Sequence, residues 1–393
     1  MTELANTNLD RHVDVAIVGG GPVGAALLLA LRDSGLAVAL LEARPVMAAR
    51  DPRALALAHG TRLILERLGA WSTLTDKATP IESIHVSQRG GFGRAVLTAA
   101  EAGVPALGYT AEYGDLYAAL AARVSLAEDD VVLGAQVTAV RPAGGCGLVE
   151  YILNGQPATL SARLIVLADG GKSLPAAKTS VKDYGQSAVI CTVRTELPHA
   201  RRAYERFTPK GPIALLPLGD DYALVWTTQN DLLESRMALS DAAFMADLQD
   251  AFGDRQGRFV AAGARSAFPL RLITTAPEER AGLVRIGNAA QTLHPVAGQG
   301  FNLGLRDAWW LAETLMDATP EQFGDTDFMQ RYRKRRRWDV GGGIAMTDLL
   351  VEAFANDLPG LGLMRGLGLS AMDGLPPLKT MFARKMMFGA QSW

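Results

Sequence analysis

The run Gly19-Gly20-Gly21-Pro22-Val23-Gly24 places Gly19, Gly21 and Gly24 at the three glycine positions of a GxGxxG turn. If that turn joins a strand to a helix, each glycine has its own task. The first permits the tight turn, the second lets a pyrophosphate approach the backbone, and the third lets helix and strand pack closely. The helix start then offers free N–H groups and a partial positive charge to phosphate oxygens. Glu42 follows 18 residues after Gly24, where a carboxylate accepts hydrogen bonds from ribose hydroxyls and disfavours a 2′-phosphate. Arg44, two residues on, joins this candidate set. The implied chemistry is dinucleotide binding, and FAD and NAD both fit. The plain alternative is a glycine-rich turn with no ligand, and the flanking strand, helix and acid weigh against it.

A second glycine-rich stretch begins Arg285-Ile286-Gly287-Asn288-Ala289-Ala290-Gln291 and continues through Thr292-Leu293-His294-Pro295 to Gly298-Gln299-Gly300-Phe301-Asn302. A strand ends at Gly287-Asn288, a proline-containing loop follows, and Gly298-Gln299-Gly300 opens an apolar-periodic helix. Such a helix start can aim backbone N–H groups at the anionic edge of a reduced flavin. Gly298, Gln299 and Gly300, at that helix start, are therefore candidate cofactor contacts. An ordinary strand–loop–helix connection is the alternative. No Ser/His/Asp arrangement or metal-ligand spacing stands out, so no side chain is assigned as catalytic. His294 and Pro295 are the candidates nearest the chemistry, with His294 expected to shape the loop and not to transfer protons.

These residues need elements to hold them. Val13–Val18, the glycine turn, an Ala/Leu-rich helix to Leu31 and a strand Leu36–Glu42 make a βαβ unit. Helical patterns follow around Leu55–Leu68 and Asp115–Val124. Asn154-Gly155 between Leu148–Leu153 and Ala158–Ala168 predicts a hairpin. From Ser187 to Thr228 the chain reads as antiparallel sheet, with Gly219-Asp220-Asp221 turning between Ile213–Leu218 and Tyr222–Thr227. A strand at Leu283–Ile286 and a helix from Leu303 to about Asp317 restore the α/β pattern. The expected fold class is α/β: a Rossmann-like dinucleotide domain with an inserted antiparallel sheet and C-terminal helices. The dinucleotide domain is assigned to residues 1–80, 100–180 and 270–335. The sheet domain takes 81–99 and 181–269, and a helical tail takes 336–393.

Bulk properties exclude other classes. A chain of 393 residues with 49% hydrophobic and 20% charged residues is globular in composition. A net charge of -2 leaves no overall footprint for nucleic acid. Two cysteines, Cys146 and Cys191, offer at most one disulfide and no zinc or iron–sulfur spacing, so a reducing cytoplasm is expected. The first residues lack a secretory pattern, and the longest apolar run, Val23–Leu31, is too short for a bilayer span.

The second glycine stretch resembles the flavin-contacting motif of the FAD-dependent aromatic hydroxylases, usually Gly-Asp-Ala-Ala-His. Leu164–Ala168 followed by Asp169-Gly170-Gly171-Lys172-Ser173 is similar to their Asp-Gly motif, which lies near FAD and the pyridine nucleotide. Asp51-Pro52-Arg53 with Ala56-Leu57 resembles the segment that sets an arginine beside the flavin. The resemblance thus adds Arg53, Asp169, Gly170, Asn288, Pro295 and Asn302 to the cofactor set. It departs at Asn288 and Gln291, which replace aspartate and histidine, and at Ala176, where many relatives carry arginine. Gly-Asn-Ala-Ala-Gln-Thr-Leu-His-Pro, together with His85-Val86-Ser87 and Arg89-Gly90, resembles the ubiquinone-biosynthesis branch, in particular the 2-polyprenyl-6-methoxyphenol hydroxylases.

The resemblance implies an FAD monooxygenase that takes electrons from NADH or NADPH and uses O2 to hydroxylate the ring of a polyprenyl phenol. No second GxGxxG is evident, so the nicotinamide is expected to visit without its own Rossmann domain. Arg331-Tyr332-Arg333-Lys334-Arg335-Arg336-Arg337 holds six basic residues in seven. A salt-bridged helix and attraction to anionic lipid or nucleotide phosphate are both readings of it. The Leu-, Met- and Gly-rich tail beyond Asp357 can pack on the FAD domain, meet the inner face of a membrane as a peripheral contact, or join a biosynthetic complex. Three alternatives stay open: a flavin reductase or dehydrogenase on the same scaffold, a flavoprotein scaffold subunit, and an NAD-only dehydrogenase.

Overall fold

From Val15 onward, strand His12–Val18 is continuously apolar and buried because it has a parallel neighbour on each edge, and such strands are covered on both faces. The computed structural model describes residues 11–47, 51–124, 130–143, 145–174, 178–276, 282–293, 298–355 and 361–389. In it, Val38–Glu42 lies on one edge of this strand, with Asp130–Leu133 beyond, and Gln156–Leu167 lies on the other. Gln156–Leu167 pairs in turn with Leu283–Arg285 in parallel and with Cys146–Leu153 antiparallel, and Gln136–Ala143 closes the seven-stranded sheet. Helices Pro22–Leu31 and Gln299–Met316 cover one face, sharing a core that includes Ile17, Leu27, Leu40, Leu164, Leu311 and Phe328. Pro22 suits the first helical turn, where its missing N–H would have had no partner. Asn154 and Gly155, at φ 52° and 76°, make the two-residue turn expected of that dipeptide.

A second sheet of nine strands stands apart from the first. Its order is Gln291–Thr292, Ser266–Thr275, Thr179–Thr195, Asp221–Gln229, Ile213–Leu218, Arg202–Phe207, Ser83–Gln88 and Arg94–Thr98, with Phe259–Ala262 also on Thr179–Thr195. One face packs on helix Asp241–Phe252 around Tyr204, Trp226, Phe244 and Phe252. The other face turns toward the nucleotide-type sheet. A small third sheet joins Ala54–Ala58, Gly108–Glu112 and Thr79–Ile81.

The structure corrects one expected element. Leu55–Leu68 is not a single helix: Ala54–Ala58 is a strand paired to Gly108–Glu112, and only His59–Arg67 is helical. The alternating Ala and Leu of this segment satisfy the two-residue strand period as well as the helical one, and the waiting partner strand decides between them.

The basic run lies within one helix, Thr326–Ala355, which continues through position 336. Arg335 donates to Asp317 and Arg336 to Asp307, each at 2.7 Å, while Tyr332 is buried. A salt-bridged helix therefore accounts for the inner part of the run. Helices Leu361–Gly374 and Pro376–Phe388 fold back against the second sheet and against helix His59–Arg67. Among the described residues, no helix is long and apolar enough to cross a membrane.

Candidate active site

The first glycine turn is shaped by close backbone approach. Gly19 has φ +104°, and a side chain there would start 2.7 Å from the backbone of Asp169. A side chain on Gly24 would overlap the carbonyl oxygen of Gly19. Gly21 differs: among the described residues, no atom beyond its chain neighbours lies within 4 Å of where its Cβ would be. It precedes Pro22–Leu31, a helix start with no side-chain cap, so its N–H groups face open space.

Glu42 anchors the turn. Its Oε2 accepts from the Gly20 N–H at 2.7 Å, and Oε1 accepts from the backbone N–H and Nε of Arg44 at 2.9 and 2.8 Å. Arg44 also donates to the Tyr117 hydroxyl, which itself donates to the Gly20 carbonyl, both at 2.9 Å. Burial pushes the Glu42 carboxyl up, but the hydrogen bonds and charge of Arg44 outweigh it and hold the group below its ordinary value. Burial raises Tyr117 to about 12 despite Arg44, so its hydroxyl stays neutral. A carboxylate has about four acceptor positions, and one remains for a ribose hydroxyl.

The Asp-Gly segment and the second glycine stretch meet this turn. Asp169 Oδ1 accepts from the Gly171 N–H at 2.9 Å, and its Oδ2 accepts from the backbone and hydroxyl of Ser173. Gly298, left-handed at φ +60°, precedes helix Gln299–Met316, whose start also lacks a side-chain cap. Asn288 is exposed on the turn Gly287–Ala289. The Gln291 amide donates to Asp307 at 2.7 Å, and the same carboxylate accepts from the Gly287 N–H at 3.1 Å. A glutamine in place of histidine thus ties the loop to the helix behind it. His294, Pro295 and Ala176 lie outside the described residues.

One cavity of about 1480 Å³ collects most of these groups. Gly19, Gly21, Glu42, Arg44, Arg53, Asp169 and Gly170 line it from one side, with Asn288, Gly298 and Gly300 beside them. Three expected contacts are not in its lining. Gly24 packs helix on strand, and Gln299 reaches the Met386 carbonyl at 3.5 Å. Asn302 is buried and fully used: it accepts from the Ala58 N–H and Thr61 hydroxyl and donates to the Ala56 and Gly298 carbonyls. Its role is to lock the loop to the third sheet. Arg53, paired with Asp51, lies over the rings of Tyr113 and Phe268 and so spans from the nucleotide side to the second sheet.

The cavity then continues along the second sheet, past Ile84, Val86, Ile190, Leu216 and Val225, to Leu369, Met372, Phe382 and Met386 of the last two helices. A single drug-sized ligand fills about 300–1,000 Å³, so this space suits a dinucleotide together with an apolar partner. Glu205, Lys172, Tyr113 and Arg365 also line it. Sequence reading passed over them. The alternation of strand Arg202–Phe207 was the only available signal for Glu205, and Arg365 had none.

Residues 12–341 match the family model described as an FAD binding domain. The chain belongs to that family, and the relatives it resembles are hydroxylases. It is 35% identical to ubiquinone hydroxylase UbiL of Rhodospirillum rubrum, over 96% of this chain and 90% of that protein. It is 32% identical to 3-demethoxyubiquinol 3-hydroxylase of Escherichia coli, over 94% and 97% respectively. Among solved structures, p-nitrophenol 4-monooxygenase PnpA from Pseudomonas putida superposes with a TM-score of 0.76 at 16% identity, covering 98% of this chain and 100% of that one. That likeness concerns the fold. The hydroxylase family membership agrees with the site: two uncapped helix starts, an open Gly21 and an anchored acid make a cradle that an FAD fits.

Proposed function

We propose that this hydroxylase uses NADH or NADPH and O2 to hydroxylate the ring of a polyprenyl phenol, 2-polyprenyl-6-methoxyphenol, in ubiquinone biosynthesis. The supporting observation is the continuity of the cavity, which runs from the glycine-lined helix starts onto an almost wholly apolar sheet face. Bound FAD supplies the redox chemistry, accepting electrons from the nicotinamide and activating O2 for transfer to an electron-rich ring. The chain's part is to bind, orient and exclude water. The Gly21 N–H and the uncapped N–H groups of the helix turn beyond Pro22 would hold the pyrophosphate, Glu42 a ribose, and Asp169, Asn288, Gly298 and Gly300 the flavin end. Arg53 would sit beside the ring system, and the apolar sheet would keep water from the reacting ring.

The last two helices supply a route for a long tail. Leu369, Met372, Phe382 and Met386 face the cavity, while Leu363, Met364, Leu367 and Met381 on the same pair of helices are 58%, 68%, 56% and 62% exposed. An exposed apolar patch on the helices that wall the cavity suits the surface of a bilayer. We propose peripheral attachment there, on the cytoplasmic side, so that the ring enters while the tail stays in lipid.

The name of the Escherichia coli relative favours a second reading within the same class, a polyprenylated hydroquinol ring. The quinone-intermediate profile of cells lacking the protein separates them. Accumulated 2-polyprenyl-6-methoxyphenol is the expected result. Accumulated demethoxyubiquinol supports the second reading, and accumulated 2-polyprenylphenol overturns the proposed ring position while leaving the reaction class. Label from ¹⁸O2 in the product distinguishes a monooxygenase from a reductase.

A further inference from the structure

The cavity face of the second sheet carries one acid among apolar residues. In strand Arg202–Phe207, Glu205 pairs with Val86 on one neighbour and Ala214 on the other. Ala214 pairs with Val225, and Val225 with Ile190. All five residues line the cavity, so a carboxylate stands in a row of Val, Ala, Val and Ile. Among the described residues nothing donates a hydrogen bond or ion pair to it. A bare carboxylate in such surroundings costs stability and calls for a partner that arrives from outside.

We propose that Glu205 is the base that takes the phenolic proton of the substrate ring. This inference rests on the phenolic substrate proposed above. In the step, the phenol O–H bond breaks and its electron pair stays on the ring oxygen. The proton forms a new O–H bond to a Glu205 carboxylate oxygen, so that a neutral acid and a phenolate replace a carboxylate and a phenol. No electrons leave the ring. The negative charge raises electron density at the ortho and para carbons, where electrophilic oxygen attacks.

The environment tunes this acid for the task. Burial alone pushes the Glu205 carboxyl from an ordinary 4.5 up to about 8. A phenol has a pKa of about 10, so the transfer becomes more favourable by three to four orders of magnitude than with an ordinary glutamate. Among the described residues, the other charged groups on the cavity are Arg365 from helix Leu361–Gly374, Arg53, and Lys172, Asp169, Glu42 and Arg44 at the nucleotide end. None of them shifts the Glu205 carboxyl, whose displacement has burial as its one cause. On its own and the adjacent strands, Arg206 and His85 alternate with Glu205 and Val86 and so belong to the opposite face. A glutamate raised in this way ionises as pH rises through about 8, and activity that needs the carboxylate follows.

The test uses FAD-loaded wild type and Glu205→Gln with 2-farnesyl-6-methoxyphenol and its O-methyl ether. Wild-type kcat/KM should rise with pH through a midpoint near 8. Glu205→Gln should lose about 100-fold or more of the plateau activity and the pH-dependent rise, with FAD content and substrate-free flavin reduction unchanged. Binding to the oxidised protein provides a readout without turnover. The phenol should bind about tenfold or more tighter than the ether, with the difference growing as pH rises through about 8. A Glu205→Gln loss under tenfold, a retained pH rise, or equal binding of phenol and ether at every pH overturns the role of Glu205. If Glu205→Gln fails to hold FAD, the wild-type comparison of phenol and ether decides alone. A wild type that binds the phenol preferentially but never hydroxylates it sinks the substrate reading and leaves Glu205 standing as a phenol acceptor.

Discussion

Two glycines three residues apart should fail in opposite ways when each becomes alanine. Gly21 has φ -65° and an extended ψ, which alanine adopts without strain, and among the described residues no atom beyond its chain neighbours lies within 4 Å of the new methyl group. The loss of a tolerated N-cap glycine, about 0.5–1 kcal/mol, is offset by the reduced entropy of the unfolded chain, about 0.4–1 kcal/mol. The apoprotein should therefore unfold at nearly the wild-type urea midpoint. The methyl instead occupies the space a pyrophosphate needs. Losing two charge-assisted N–H contacts of about 1.5–3 kcal/mol each weakens FAD binding by roughly 10²–10⁴-fold. At Gly24 the methyl strikes the Gly19 carbonyl, with Ala168 Cβ 3.4 Å away. Neither backbone nor core can yield freely, so Gly24→Ala should destabilise the apoprotein by about 1–3 kcal/mol, with FAD loss as a consequence. Urea unfolding of apoprotein and FAD titration by flavin fluorescence measure both quantities. If Gly21→Ala binds FAD within threefold of wild type, or unfolds as early as Gly24→Ala, the division of labour argued for this turn is wrong.

Other perturbations test separate parts of the structure. Arg306 and Asp339 form an ion pair with side chains 5% and 4% exposed, so Arg306→Met should cost about 3–5 kcal/mol by leaving a buried charge. Arg306→Met with Asp339→Leu should recover most of that in urea unfolding, and a double variant no better than the single one refutes the pairing. The Glu42 carboxyl titrates below its ordinary 4.5 in the folded protein. Its stabilising contribution is therefore complete above that value and disappears as pH falls through the depressed one. Unfolding midpoints between about pH 3 and 6 should steepen downward in wild type and less so in Glu42→Gln. Met364→Glu with Leu367→Glu and Met381→Glu should abolish co-sedimentation with liposomes while leaving FAD content intact. Unchanged co-sedimentation argues against the last two helices as the membrane contact.

Both glycine turns, the acid after the second strand and the two tight hairpins were legible in the sequence. Each depends on local backbone demands that few residue types meet. Gly19 must take φ +104° and Gly24 must approach a carbonyl, and those needs are written in the chain itself. The segment around Leu55–Leu68 was misread because its pattern fits two periods. Only a partner strand more than forty residues later, Gly108–Glu112, decides between them. Asn302 sat in the right motif, yet all of its hydrogen-bonding capacity goes to Ala56, Ala58, Thr61 and Gly298.

What the sequence determined by itself is the cofactor class, because glycine spacing constrains backbone geometry within a few residues. The tertiary structure decided what shares the cavity with it. Glu205 looks like any charged residue on an edge of alternating pattern until five strands place Val86, Ala214, Val225 and Ile190 in its row. The cavity wall formed by Leu369, Met372, Phe382 and Met386 is likewise invisible until the last helices fold back. Burial is a sum over residues distant in sequence, and it is burial that turns an ordinary carboxylate into a base matched to a phenol.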